Sequence, residues 1–402
     1  MKYRDILSWV FILLACALLS IGRVYDERLT IVSINLPLVI SFFYALIVIV
    51  FMLTIKNIHL SKTKLLYYLF YLILFLTTPI LWIIFDTTEY GVEKYINFIF
   101  IIIPISIIII EKYKWKDSLN TLYVLLGVSC FLAFLSIVGL SISERADGRM
   151  ATLGGGPIVF ARWMGFSIIS LFFLPINIKK YYKYILIGGF FILALSSGSR
   201  GPILSLILTG IVYVILNFNK IIVKISIVSV MVLSVVIFSD LGNQVSQLGQ
   251  TDRVFMNVAK KGGSKQSTST RKNLAIGSLI LLQHYPLGVG AGNWQSMSNK
   301  VRPNHLMPLE YPHNLFLEVA CEYGIHAVLV MLFLFIYTFS LSYKKMIRFK
   351  SDKTSLYPLL FHLLIFFFLN SLVSGMLNDS RLLFVIIAFI LIKNPLIKSV
   401  NE

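Results

Sequence analysis

The sequence predicts an all-α, polytopic integral membrane protein of about twelve transmembrane helices. Three observations carry this reading. Apolar residues make up 57% of the 402-residue chain and charged residues only 13%, about half the charged share of a soluble domain. Apolar runs of roughly twenty residues, each long enough to cross a hydrocarbon core of about 30 Å, recur along nearly the whole length. The runs are continuous and do not alternate, so they are helices rather than barrel strands, the only other structure that satisfies its backbone in lipid.

The runs place helices at residues 6–22, 34–55, 64–85, 95–111, 118–141, 157–176, 181–196, 202–218, 221–239, 314–342, 356–376 and 381–397. The first follows Lys2 and Arg4 as a signal peptide would. No small-x-small cleavage site comes after it, so it reads as a retained anchor. The seventh is short: about sixteen residues rise roughly 24 Å, so the turn after it is expected to lie recessed below one membrane face. Cys16, Cys130 and Cys321 sit in or beside apolar runs and read as packing residues, not as a disulfide framework.

Loop charges set the orientation. Alternate loops carry Lys56, Lys62 and Lys64; Lys112, Lys114 and Lys116; Lys179, Lys180 and Lys183; Lys220 and Lys224; and Lys344 to Lys353. The opposite loops hold Asp26 and Glu27; Asp86, Glu89 and Glu93; Glu144 and Asp147; and Asp379. The basic set is therefore predicted to be cytoplasmic, with both termini inside. The chain then divides into helices 1–9 over residues 1–239, a large outer loop over 240–312, and helices 10–12 over 313–402. A loop of that length is expected to be a lid or binding element. Within it, Gly262 to Thr270 is expected to be flexible, Arg271 to His284 helical, and Pro286 to Gly292 a glycine-rich turn.

The net charge of +18 does not point to nucleic acid, because no separate basic domain or stacking platform exists. Its arginines are more informative. Ten of the twelve fall on the predicted outer side: Arg23, Arg28, Arg145, Arg149, Arg162, Arg200, Arg253, Arg271, Arg302 and Arg381. Lysine suffices as a topology charge. Arginine adds a planar fork that binds phosphate oxygens in pairs. Single arginines at this level also bind lipid headgroups, which is the simpler reading for any one of them.

Four constellations could carry chemistry. Ser196 to Pro202 joins helices seven and eight, and Arg200 with the free amides of the following helix start would suit a diphosphate; the alternative is a tight hairpin with a snorkelling Arg200. Tyr311-Pro312-His313-Asn314 puts a histidine at a helix start, where the dipole keeps the imidazole neutral and ready to take a proton; the alternative is a capping or lipid-facing ring. Glu318 and Glu322 share a helix face with Asn314, and the favoured reading is structural, as partners for an outer arginine. Arg149 to Pro157, with Arg162 one turn on, forms a second anion-binding edge or a flexible approach to the helix. No Walker loop, zinc spacing, Asp-x-Asp pair or Gly-x-Ser-x-Gly is present. A substrate that arrives already activated therefore fits better than a bound nucleotide, and no cofactor or metal is expected.

These residues resemble the O-antigen ligase/polymerase family of bacterial envelope glycosyltransferases. The likeness rests on Ser197 to Gly201 opening a helix, on Ser267 to Arg271 leading to His284 through Gly290, on His313-Asn314 followed by Gly324, and on the large outer loop between helices nine and ten. The resemblance implies a GT-C-like architecture in the bacterial inner membrane with the active site facing the periplasm. It implies a donor and acceptor glycan on undecaprenyl diphosphate, membrane lipids as surroundings, and a chain-length regulator and flippase as pathway partners. Arg200 and Arg271 match the arginines that hold the diphosphate, with Arg162 and Arg149 nearby. His313 matches the histidine that deprotonates the acceptor, with Asn314, Glu318, Glu322 and Arg302 in support. The ligase pattern carries Gly, Thr or Tyr three residues after the motif glycine. Here that residue is Ala327, so a polymerase of repeat units is expected, with the ligase as runner-up and a polysaccharide flippase as the more distant alternative.

Overall fold

The structure, a computed structural model, describes residues 3–31, 33–55, 61–139, 155–217, 263–302 and 311–392. Eleven of the twelve predicted helices fall on these residues and each is present; the run at 221–239 lies outside them. In chain order they are α1 (Tyr3–Ile21), α2 (Leu36–Leu53), α3 (Lys62–Phe85), α4 (Glu89–Asn97) continuing through a π turn into α5 (Ile103–Lys112), α6 (Trp115–Ile137), α7 (Pro157–Phe173), α8 (Lys180–Ser196) and α9 (Arg200–Leu216). Then follow α10 (Gly263–His284), α11 (Trp294–Val301), α12 (Leu315–Tyr323), α13 (Ile325–Arg348), α14 (Tyr357–Ser374) and α15 (Arg381–Leu391). A two-stranded antiparallel hairpin, Thr30–Ile31 with Ile34–Asn35, is the sole sheet among the described residues.

Six of these helices are long and apolar enough to cross a membrane: Leu36–Leu53, Lys64–Phe85, Glu89–Lys112, Trp115–Ile137, Ile325–Arg348 and Tyr357–Ser374. Asp5–Ile21, Pro157–Phe173 and Arg200–Leu216 are apolar but shorter. The chain is thus a helical, multi-pass membrane protein.

Contacts divide it into two compact units. The first comprises residues 1–128, 270–364 and 371–402; the second, residues 129–269 and 365–370. In the first unit every residue of α15 is buried, as expected for a helix apolar on all sides. It packs on α5 and α13, while α3 lies against α12 and α13. Phe384 of α15 contacts the rings of Phe70 and Tyr71. The Tyr67 hydroxyl donates to the Phe384 carbonyl at 2.7 Å and meets Ser106 at 3.0 Å, so polar groups in this apolar setting are satisfied internally. The π turn at Phe98–Ile102 precedes Pro104, whose missing N–H cannot close the regular α-helical bond.

Helix ends are tied to one another by hydrogen bonds and ion pairs. Among the ends assigned to the inner side, Ser8 donates to Asp117 at 2.8 Å, Lys64 meets Glu111 at 2.9 Å, and Lys345 donates to the Ile390 carbonyl at 2.9 Å. Among those assigned to the outer side, the Val24 N–H donates to Asn97 at 2.8 Å. Arg381 donates to the Leu19 and Ser20 carbonyls in the last turn of α1, where carbonyls lack helical partners. Gly22, at φ +77°, makes room for it: a Cβ there would fall 2.5 Å from the guanidinium carbon.

In the second unit α7 packs on α8 and α9. Twelve residues of the seventeen in α7 are buried, Arg162 among them, and Ser129 donates to the Trp163 carbonyl at 2.8 Å.

Two expectations are corrected. The helix predicted over 314–342 is broken at Gly324 (φ +90°) into α12 and α13. The stretch from Gly263 to Thr270, expected to be flexible, is the first part of α10. Serine, threonine, lysine and glutamine are only modestly unfavourable in helices, and the two glycines fall at or before its first residue.

Candidate active site

The break at Gly324 is built together with the glycine-rich turn. The Val289 N–H donates to the Cys321 carbonyl at 3.0 Å and the Gly290 N–H to the Glu322 carbonyl at 2.8 Å, while the Ile325 N–H returns a bond to Pro286 at 3.0 Å. So close an approach of two backbones needs residues without Cβ. At Gly288 (φ +94°) a Cβ would lie 2.7 Å from both the Glu322 carbonyl oxygen and the Gly324 nitrogen. From its other side the turn is gripped by Trp82, whose indole donates to the Ala291 carbonyl at 3.2 Å, and by Asn293, which donates to the Asp86 carbonyl at 2.9 Å. The loop that carries the motif is therefore fixed against α3 and the α3–α4 corner.

α12 begins at Asn314, the N-cap. Its side-chain oxygen accepts from the Phe316 and Leu317 N–H groups at 2.9 and 3.1 Å, and its amide donates to the Leu372 carbonyl at 2.9 Å. Asn314 caps this helix. His313 precedes it in the left-handed region at φ +55°, a conformation uncommon for a residue with a side chain. Its ring lies 4.2 Å, centre to centre, from that of Tyr311. Its Nδ1 is buried and has no hydrogen-bond partner among the described residues.

Electrostatics keep His313 neutral. Burial pushes its pKa down to about 4, the positive charge of Arg271 adds to the fall, and Asp379 opposes it. Arg271 stands exposed near the described start of α10's side chains. Arg271 and Asp379 thus each act on His313 within the first unit.

Glu318 and Glu322 are both buried, and Lys94 of α4 donates to both. Glu318 also accepts the Leu377 N–H at 2.8 Å. The partner of these acids is a lysine, not the outer arginine that was expected. Arg302 donates to the Asn273 carbonyl at 3.1 Å. It braces α11 against α10.

The second unit holds two more of the expected residues. Arg200 opens α9 and is exposed. The turn before it is shaped by Gly198 at φ +64° and by Ser197, which accepts the Ser199 N–H at 3.2 Å and donates to the Ala194 carbonyl at 2.7 Å. Arg162 is 5% exposed in α7. Arg149 lies outside the described residues. No group of three or more His, Cys, Asp or Glu suited to a metal occurs among the described residues.

Residues 184–333 match the O-antigen ligase family. The matched segment begins in α8 and ends in α13, so it contains the Ser197–Gly201 turn, α10, the glycine-rich turn and His313. The resemblance read from those motifs is borne out by it. No curated protein matches the chain.

Sequence reasoning missed Lys94 as a member of this site, and it placed Asp379 only as a loop charge. Lys94 falls just before the apolar run predicted at 95–111, next to Glu93, where a lysine reads as an ordinary loop charge. Its partners lie more than two hundred residues away.

Proposed function

We propose that the protein polymerises undecaprenyl-diphosphate-linked repeat units into O-antigen or capsular polysaccharide, at the outer face of the bacterial inner membrane. The observation that carries this is His313: a neutral imidazole with an unpartnered Nδ1 beside Arg271, inside the segment that matches the O-antigen ligase family. An acceptor sugar hydroxyl attacks the anomeric carbon of the donor glycan. As the new carbon–oxygen bond forms the hydroxyl becomes acidic, and its proton passes to His313. The bond to the carrier diphosphate breaks, and the family resemblance assigns the charge that develops on the leaving group to Arg271 and Arg200. Arg162 and Arg149 support that anion, as the sequence motif suggests. The even alternation of basic and acidic loops supports cytoplasmic termini and twelve spans, with this chemistry on the periplasmic side.

The ligase reading, in which finished polymer moves to lipid A core, is favoured by the family description itself. Ala327 favours the polymerase. A deletion strain decides between them. Lipid A core capped with a single repeat unit supports the polymerase, and bare core with carrier-linked polymer supports the ligase. Complementation with His313→Ala or Arg200→Ala should leave only single units on lipopolysaccharide although the protein inserts normally. Full ladders from both variants would overturn the assigned roles.

A further inference from the structure

Lys94 touches both sides of the histidine site through different atoms. Its ammonium donates to Glu318 and Glu322 on α12, the helix that begins beside His313. Its backbone carbonyl accepts from the Asn378 side chain at 3.1 Å. Asn378 opens the short turn Asn378–Ser380 that contains Asp379, the acid that acts on His313. Glu318 closes the ring by accepting the Leu377 N–H at 2.8 Å, and Asn314 ties the same helix start to Leu372 at 2.9 Å.

We propose that Lys94 is a positioning residue that clamps the His313 helix start and the Asp379 turn in one fixed relation, and so sets the basicity of the histidine. This rests on the polymerase reading only for its bearing on the rate. A buried cluster of one lysine and two carboxylates is a poor source of stability compared with an apolar cluster of the same shape. What it supplies is direction: each carboxylate has one site to meet, and α12 cannot slide along α4 without losing both. The groups that act on His313 are Arg271 from α10 and Asp379 from the turn, with the Tyr311 ring lying against it at a tilt. Those acting on the cluster are Tyr90 of α4 and Tyr323 of α12.

The test is the protonation midpoint of His313 in the full-length protein in nanodiscs, read by diethyl pyrocarbonate labelling against pH with peptide mass spectrometry. It is paired with kcat and KM for chain extension on lipid-linked repeat units. Asn378→Ala keeps the charged cluster and frees the Asp379 turn, so the midpoint should fall, with kcat down about tenfold and KM unchanged. Lys94→Met alone strands two buried acids, so Lys94→Met/Glu318→Gln/Glu322→Gln is used, and its midpoint should move by half a pH unit or more. Lys94→Arg should restore most of the rate. A wild-type midpoint in both Asn378→Ala and the neutral triple variant overturns the clamp. Shifted midpoints with an inactive wild-type protein support the clamp and overturn the polymerase reading.

Discussion

Lowering the pH should charge His313 only far below the range in which a solvated histidine titrates. The structure depresses its pKa from 6.5 to about 4, by burial first and by Arg271 second, against Asp379. That difference corresponds to about 3 kcal/mol at roughly 1.4 kcal/mol per pH unit. It is a ceiling, because the ring is half-buried and solvent screens part of it. The sign follows from which state binds more protons. Between pH 6.5 and 4 the unfolded chain protonates this histidine and the folded one does not. Folded stability is therefore complete above about 6.5 and declines as the pH falls towards 4. Activity should show no acid limb from His313 near 6.5. Carbethoxylation, which needs the neutral ring, measures this directly: its rate at His313 should fall with a midpoint near 4, with N-acetylhistidine in the same tube as reference. Arg271→Gln should raise the midpoint and Asp379→Asn should lower it. A midpoint at 6 to 6.5, unmoved by either substitution, would show a solvated ring and refute the reasoning.

Two further outcomes test the frame around the site. Gly288→Ala places a Cβ 2.7 Å from two backbone atoms at φ +94°, and should cost at least about 2 kcal/mol, read as a lower unfolding midpoint in detergent. Gly188→Ala, where nothing lies within 4 Å of the added carbon, should be neutral or gain up to about 1 kcal/mol. Arg381→Met removes the charged donors that meet the Leu19 and Ser20 carbonyls. It should cost about 2–3 kcal/mol in the same assay, and Arg381→Lys should recover only part, since one ammonium cannot fork to both acceptors.

The helices were legible because lipid removes the ambiguity of short apolar runs: a continuous run of eighteen or more residues has only one structure open to it. The break at Gly324 was not. Tyr323-Gly324-Ile325 sits inside one apolar run, and what ends the helix is the approach of the Pro286–Gly290 backbone from elsewhere in the chain. His313 stood out as a candidate from its place beside a helix start, and Asn314 only as a neighbour. The Asn314 oxygen caps α12 while its amide donates to the Leu372 carbonyl of α14, a partner distant in the chain. Glu318 and Glu322 were expected to pair with one of the outer arginine set because arginines dominate the predicted outer face, and these acids pair with Lys94 instead. Arg302 and Arg381 belong to that set by position and spend their donors on backbone carbonyls. A sequence count of arginines therefore overstates how many could meet a phosphate.

The division of one predicted membrane helix at Gly324 has a mechanical consequence. α13 is long enough to tilt as the surrounding bilayer thickens or thins, and an unbroken helix would carry that tilt straight to His313. Here the two helices are separated at Gly324, and the nine-residue segment is moored sideways by Lys94, by Leu377 and by the glycine-rich turn. A tilt of α13 is therefore expected to reach the histidine weakened, because these moorings do not belong to α13.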